Sequence, residues 1–443
     1  MVEANVKIIE ELKLFLSIVI EDPEMRKLFT QQQGDFSRDR KMPMEKVISM
    51  LINLPKRSLC IELQEFFENI AQPELSCTKG AFCLQRIKLK AMFFHIWNQC
   101  LVDSFYRYYG DSVKRWRGFR IFAVDGSTCY LFNKQEVLNH FGSQDNQHGE
   151  VPMGRIMQIH DVLNDLTICG NITPFNKGEQ ALMAEQVIKL PPDSLTLFDR
   201  GYTSYALMYL MNNQETPRHF LIRSKLDFNN EVKSFMRSCK SSKIVTLTPG
   251  SKAIAELKRC GYIIATNHPL KVRMVKIKLS TGETEVLLTN LFDEKIYPLT
   301  IFKELYVMRW KIETAYGKQK NQMQMEIFSG HKVICIEQDY AATLFVGNLQ
   351  SLVEKQSDVY LQALSEKRRH NYKINRNVSL AALKHKIVKL FLQQTSITIL
   401  LQLQKAFERN VEPVRPNRQY KRTTKAKRVR GKYQTFTNYK RAI

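Results

Sequence analysis

A single carboxylate stands among basic residues in the stretch YVMRWKIETAYGKQK, which runs from Tyr306 to Lys320. The acid is Glu313, and the apolar spacing around it predicts a helix. At 100° per residue, Arg309, Glu313, Gly317 and both end residues fall on one face. We expect the helix to pack by its other side and to present this polar seam. The alternative is a solvated helix with an Arg309–Glu313 ion pair, worth only a few tenths of a kcal/mol.

Two aspartates could complete a catalytic site with this acid. FRIFAVDGS predicts a strand ending at Asp125, and DSLTLFDRGY predicts one ending at Asp199, each before a glycine turn. Carboxylates at strand ends project over the sheet edge, where α/β folds commonly place their sites. Neighbouring carboxylates repel each other unless a cation neutralises them. Taken singly, an aspartate before glycine is also routine turn chemistry.

With Glu313, these acids would form an all-oxygen ligand set, which suits Mg²⁺ or Mn²⁺ and not zinc. Two ions about 4 Å apart can activate a water and stabilise the leaving oxygen of a phosphodiester. The acids lie far apart in sequence, so the chemistry depends on elements that bring them together.

The first half of the chain predicts two kinds of structure. Residues 1–115 show helical periodicity, including a helix with Lys79 and Arg86 that Ser76 or Thr78 would cap. A basic, capped helix among short helices suits a DNA-binding region, although an ordinary helical bundle has the same pattern. Residues 116–223 follow the order strand, hairpin, helix, strand, helix, strand. This order predicts the first part of a mixed sheet flanked by helices.

The second half interrupts and then resumes this pattern. Residues 224–298 contain the β-like runs KIVTLT, GYIIAT, LKVRMVKIKL and ETEVLLTNL, with a turn at STGE, and predict a β-rich insertion. Helices return over 299–360, where the sheet domain would be completed, and over 361–412. The tail 413–443 has eleven Lys or Arg and no acid, so we expect it to be flexible in isolation.

The charge balance indicates the class of partner. Lys and Arg exceed Asp and Glu by 67 to 43, a net charge of +24, which favours a polyanion, with nucleic acid before an acidic membrane. No apolar run approaches the ~18 residues of a membrane span, so no membrane partner is expected. Nine cysteines without CxxC spacing favour reduced, intracellular thiols, and the N-terminus predicts a helix and not a signal peptide.

The spacing Y-x2-R-x3-E-x6-K resembles the signature of the DDE transposases of bacterial insertion sequences, in particular the cut-and-paste subgroup with hairpin-ended intermediates. Its four positions are Tyr306, Arg309, Glu313 and Lys320. VDGS at 124–127 and FDRGY at 198–202 resemble the two aspartate segments of that family. The resemblance covers roughly residues 115–355, and the helical N-terminus loosely.

The resemblance implies a ribonuclease-H-like catalytic core that a β-rich insertion interrupts before the helix with the glutamate. Its metal-binding catalytic residues, for two Mg²⁺ or Mn²⁺ ions, would be Asp125, Asp199 and Glu313. The residues that hold DNA phosphates would be Tyr306, Arg309 and Lys320. Trp310 would either stack on a base or lie in the core. Because the insertion has no Trp, a wedge for a flipped base would have to be Tyr262, Phe292 or Tyr297.

A transposase of this kind would bind terminal inverted repeats, cleave DNA with metal ions and join the freed end to target DNA. The resemblance therefore implies double-stranded DNA as partner, a homodimer in the synaptic complex, and a place in the bacterial cytoplasm with the nucleoid. Two alternatives stay open. One is a metal-dependent nuclease on the same core without strand transfer. The other is a catalytically inactive, basic DNA-binding protein.

Overall fold

The computed structural model describes residues 1–38, 40–146, 149–278, 282–393 and 396–415. The chain divides into two compact units, each discontinuous in sequence. The helical unit comprises residues 1–110, 131–140 and the chain from 319 onward, and the sheet unit comprises residues 111–130 and 141–318. The domain boundaries expected from the sequence stay predictions.

Helices occur in both units. In the first half of the chain they are α1 (Val2–Glu21), α2 (Pro23–Phe29), α3 (Met44–Ile52), α4 (Leu59–Asn69), α5 (Lys79–Arg86), α6 (Met92–Tyr109), α7 (Gln135–Phe141), α8 (Glu179–Ala184) and α9 (Tyr205–Asn212). In the second half they are α10 (Asn230–Arg237), α11 (Ser251–Arg259), α12 (Thr300–Val307), α13 (Lys311–Gly317), α14 (Val333–Glu354), α15 (Asp358–Glu366), α16 (Arg376–Leu392) and α17 (Ser396–Glu408). No helix in the described ranges combines the length and apolar character needed to cross a bilayer.

The strands form one large sheet and one small one. They are β1 (Arg120–Tyr130), β2 (Ser143–Asn146), β3 (Gly149–Asp161), β4 (Leu166–Pro174), β5 (Ser194–Phe198), β6 (His219–Arg223), β7 (Ser242–Leu247), β8 (Leu270–Lys278), β9 (Thr284–Thr289), β10 (Tyr372–Ile374) and β11 (Val411–Pro413). The last two pair with each other in the helical unit.

The core of the helical unit forms around α14, which is buried along nearly its whole length. A helix that is buried on all sides needs neighbours on all sides. The α6 helix is one of them: its Trp97 ring stacks on Phe345 of α14, with centroids 4.1 Å apart, and also touches Phe391 of α16. This aromatic contact joins segments that are far apart in sequence.

The predicted basic helix of the N-terminal region is α5. Thr78 caps it, because its hydroxyl accepts a hydrogen bond from the Ala81 N–H at 3.2 Å. Arg86, however, is buried in an ion pair with Asp339 of α14 at 2.8 Å. Arg86 is therefore one basic residue of α5 that does not lie on an exposed face, and the DNA-binding role of this region stays a prediction.

The sheet unit contains a mixed nine-stranded sheet, as far as the described residues go. Its strands run in the order β4–β3–β1–β5–β6–β9–β8–β7, and β2 pairs with the beginning of β3. β3 and β4 form the predicted antiparallel hairpin beside β1, whereas β5 and β6 run parallel to β1 on its other side. The predicted mixed sheet flanked by helices is thus confirmed.

The segment predicted as a β-rich insertion extends this same sheet. β9 pairs with β6, and β8 and β7 follow in antiparallel order. Two helices, α10 and α11, also lie in this segment. The strand predicted for GYIIAT is wrong: Gly261 has a φ of +86° after α11, and Ile263 is 92% exposed, so the run has no buried face. Residues 279–281, which include Ser280 and Thr281 of the predicted STGE turn, lie outside the described residues.

Candidate active site

The register of two parallel strands brings the two aspartates to neighbouring positions. After Arg120, β1 contains the fully buried run Ile121–Val124, and β5 is buried throughout. Val124 is paired with Phe198 across these strands. An aspartate follows each residue of this pair. Asp125 is the next residue of β1, and Asp199 comes directly after the end of β5. The sheet core therefore sets where both acids stand.

The two aspartates differ from their prediction in one respect. Asp199 follows the end of β5, as expected. Asp125 lies in the middle of β1, because β3 continues to pair with β1 from Asp125 as far as Tyr130. The turn expected at Asp125 is wrong, since a strand distant in sequence supplies hydrogen-bond partners that the local Asp-Gly signal does not include.

The helix that carries Glu313 is not continuous. After α12, a 3₁₀ turn occupies Met308–Trp310, α13 follows, and a π-helical turn occupies Lys318–Gln322. Ile312 and Ala315 are buried, as their side of the predicted helix requires. The α13 helix is fastened to β1 by the Tyr316 hydroxyl, which donates to the Asp125 carbonyl oxygen at 2.8 Å.

The polar seam is buried at its N-terminal end, contrary to the expectation of a presented face. Tyr306 and Arg309 are only 4% and 5% exposed. The Arg309 guanidinium reaches two of the predicted acids. Its Nη1 lies 4.0 Å from Asp125 Oδ2, and its Nη2 lies 3.3 Å from Glu313 Oε1. The predicted Arg309–Glu313 ion pair is present. Arg309 also pairs with Asp125 of β1, so it links Glu313 to the sheet.

The electrostatics show that all three acids act on this arginine. Burial by itself would lower the pKa of Arg309, but Tyr306 and the three acids raise it overall. Burial raises the pKa of Asp125 to about 6, although Arg309 and the Gly126 N–H lower it. We call Arg309 with Asp125, Asp199 and Glu313 the Arg309 cluster. Its guanidinium compensates the charge of Asp125 only in part.

Asp199 has a second basic neighbour that the sequence reasoning missed. Arg223 ends β6, and its Nη1 lies 3.8 Å from Asp199 Oδ1, while its Nη2 contacts Glu285. The neighbour follows from the strand pairing, because β6 is parallel to β5 and Ile222 pairs with Phe198, and the sequence does not show this pairing. A cavity of about 650 Å³ beside Arg223 is also lined by Arg200 and Lys225.

Two polar atoms of the seam have no hydrogen-bond partner among the described residues. They are the Tyr306 hydroxyl and Arg309 Nε, both buried. Burial raises the pKa of Tyr306 above its usual range, so the hydroxyl keeps its proton and can donate. Buried donors without partners are uncommon and call for an explanation, such as a bound water or ligand.

The remaining predicted DNA contacts have different surroundings. Trp310 is 50% exposed, with the Arg309 guanidinium 5.3 Å from its ring centroid, so the core alternative for Trp310 is wrong. Lys320 belongs to the helical unit, where its Nζ lies 3.7 Å from Glu326 Oε1. Their DNA-binding roles stay predictions.

The ligand chemistry of the Arg309 cluster fits a magnesium-type ion, but the full ligand set is not assembled in this conformation. Within the described ranges, no three His, Cys, Asp or Glu side chains are grouped closely enough to hold a metal ion. The donors are carboxylate oxygens, as Mg²⁺ and Mn²⁺ prefer. Burial raises the pKa of Asp125, and a cation beside it would favour the ionised carboxylate.

Comparisons with known proteins show that part of this chain is similar to a putative transposase. No protein-family model matches. A stretch of 120 residues is 25% identical to the putative transposase InsZ of Escherichia coli (strain K12), covering 26% of this chain and 40% of that protein. The alignment thus spans less than half of this relative.

Among solved structures, the chain is similar to the piggyBac transposase in a cryo-EM synaptic complex with hairpin DNA. The identity is 10% and the TM-score 0.39, over 96% of this chain and 90% of that one. A TM-score below 0.5 carries no inference about fold or function. The comparisons therefore establish a weak sequence similarity, over part of the chain, to a putative transposase.

Proposed function

We propose that this protein is a DDE transposase that binds the terminal inverted repeats of an insertion sequence and catalyses DNA cleavage and strand transfer. The observation that carries the proposal is the Arg309 cluster. Three acids, from a strand, a strand end and a helix, act on one buried guanidinium. The similarity of part of the chain to a putative transposase supports the same reading.

The proposed core is ribonuclease-H-like. The sheet portion β4–β3–β1–β5–β6 supports this, because it places an antiparallel hairpin on one side of β1 and two parallel strands on the other. Both aspartates come from the central pair, β1 and β5. Such a rigid sheet can hold catalytic groups in a fixed geometry, which flexible loops alone do not.

In this proposal Asp125, Asp199 and Glu313 would hold two Mg²⁺ or Mn²⁺ ions. The chemistry that such ions supply is activation of a water or hydroxyl nucleophile and stabilisation of the leaving oxygen. Arg309 compensates the charge of the acids in part and, with its fork of N–H donors, suits a DNA phosphate. Tyr306 would donate its free hydroxyl to the same backbone, and the half-exposed Trp310 would stack on a base.

Further residues and partners complete the proposal. Lys320 would contact a phosphate as a point charge. The net charge of +24 would add salt-dependent attraction to double-stranded DNA, at the element ends and at the target. Joining two ends requires a synaptic complex, for which we propose a homodimer.

The test is DNA cleavage with Mg²⁺ by the variants Asp125→Asn, Asp199→Asn and Glu313→Gln, on DNA carrying the element ends. Each should lower the cleavage rate by about 100-fold or more, since metal-ion catalysis is worth several kcal/mol. Glu304→Gln, an exposed acid on α12, is the matched control and should cleave like the parent. Cleavage at parental rates by the three variants would refute the assignment.

A second assay distinguishes the proposal from its two alternatives. The parent is given a pre-cleaved element end and a target plasmid, and joined products are measured. Cleavage without joining would identify a nuclease. DNA binding by the parent without any cleavage or joining would identify a binding protein without catalytic activity.

A further inference from the structure

A fourth carboxylate lies next to the proposed catalytic acids. Glu179 is the first residue of α8, and its carboxylate lies directly against Gly126, the neighbour of Asp125 in β1. A Cβ atom at residue 126 would be 2.2 Å from Glu179 Cδ and 2.3 Å from its Oε1. Any side chain at this position would therefore have to displace the Glu179 carboxylate.

The Glu179 carboxylate is held in this position by β3. Arg155 Nη1 lies 2.9 Å from Glu179 Oε1. Arg155 is itself fixed, because it also donates to the Phe175 carbonyl at 3.2 Å and its guanidinium lies 4.9 Å from the Phe175 ring centroid. The contact between Glu179 and Gly126 is thus part of a defined arrangement.

We infer that Glu179 is a positioning residue of the proposed site, which places a second negative charge beside Asp125 and so strengthens the binding of a divalent cation there. This inference rests on the proposed function. A purely structural role is the alternative: the Arg155–Glu179 pair would only fasten α8 to the sheet.

The electrostatics of Asp125 support the inference. The Glu179 carboxylate adds negative charge close to Asp125, because it lies against Gly126, the next residue of β1. A neighbouring like charge is unfavourable without a cation and favourable with one, since a carboxylate pair attracts a divalent ion more strongly than one carboxylate.

The first experiment separates charge from structure. Mn²⁺ binding to the full chain without DNA is measured by isothermal titration calorimetry for the parent, Asp125→Asn and Glu179→Gln. The amide of Glu179→Gln can still accept a hydrogen bond from Arg155 but lacks the charge. We expect the Mn²⁺ affinity of Glu179→Gln to be about 10- to 100-fold lower than that of the parent, as for other residues that support metal ligands. Circular dichroism and the Tm check that the fold is kept.

The matched control is Glu185→Gln. Glu185 immediately follows α8 but is exposed and lies 3.9 Å from Lys177, so its charge should not affect Mn²⁺ affinity. A structural role for Glu179 predicts parental Mn²⁺ affinity in Glu179→Gln. That result, with affinity lost in Asp125→Asn, would overturn the inference and leave the proposed function standing. A parent that binds no Mn²⁺ would overturn both.

The second experiment displaces the carboxylate without removing it. Gly126→Ala should push the Glu179 carboxylate away and weaken Mn²⁺ binding about as much as Glu179→Ala. The double variant should be no weaker than either single one, because both changes remove the same interaction. Additive losses would show that Gly126 does not act through Glu179 and would overturn the inference.

Discussion

Arg86 in the helical unit and Arg309 in the sheet unit are both buried, but they face acids in very different ways. Arg86 is 1% exposed and uses all three of its nitrogens. It donates to Gln338 at 2.8 Å, Ser329 at 2.6 Å and Asp339 at 2.8 Å, and also to a backbone carbonyl. Burial by itself would raise the pKa of Asp339, but Arg86 and Ser329 lower it overall. We call this set the Arg86 cluster.

The Arg309 cluster has more acids and poorer contacts. Its ion pairs measure 3.3 Å and 4.0 Å, Arg309 Nε has no partner within the described part of the chain, and the pKa of Asp125 is raised to about 6. A fully bonded buried ion pair stabilises one conformation, whereas an incompletely bonded one retains capacity for a ligand. The difference indicates a structural role for the Arg86 cluster and a functional role for the Arg309 cluster.

The largest expected effect is a loss of stability when the Arg86 cluster is broken. Asp339→Ala leaves the Arg86 guanidinium buried without its counter-charge, which should lower the free energy of unfolding by about 3–5 kcal/mol. Chemical denaturation measures the free energy of unfolding of the parent and the variant. Glu366→Ala, which removes an exposed acid, is the control. A loss below about 1 kcal/mol would show that the Arg86 cluster is not a stabilising element.

A smaller effect should appear in the pH dependence of stability. The pKa of Asp339 is lower in the folded state than the ~3.9 of an unfolded aspartate, so its charge stabilises the fold above about pH 4. This contribution is lost as the pH falls through the folded-state pKa. The difference in unfolding free energy between the parent and Asp339→Asn should therefore be largest near pH 7 and shrink in acid. A difference independent of pH would contradict the assigned cause.

The smallest expected effect on stability is at the functional arginine. Arg309→Ala should lower the free energy of unfolding by less than Asp339→Ala does, because the contacts of Arg309 are long and its acids are partly exposed. Affinity for cleaved end DNA should fall by about 10-fold or more, as for other charged hydrogen bonds. Fluorescence anisotropy over a salt titration measures this.

Two results would remove the contrast between the arginines. One is a stability loss in Arg309→Ala as large as that in Asp339→Ala. The other is unchanged DNA affinity of Arg309→Ala at every salt concentration, which would argue against a phosphate contact. Arg309→Lys is the matched control, since it keeps the charge and loses the fork of donors.

Local patterns predicted much of the sheet unit. The apolar runs that became β1, β5, β6, β8 and β9 are buried, so their side chains indicate strands without knowledge of their partners. The pairing of Arg309 with Glu313 also followed from helical spacing. These features depend on residues close together in the chain, which is why the sequence was sufficient.

Other features depended on partners distant in the chain. The sequence by itself determined which acids and bases the protein has, their spacing along the helix, and the strands that carry the two aspartates. Only the tertiary structure decided that β1 continues past Asp125, that Arg309 is buried among three acids, and that Glu179 lies against Gly126. The physical reason is that strand pairing and burial join segments from opposite ends of a unit, and no local periodicity encodes such contacts.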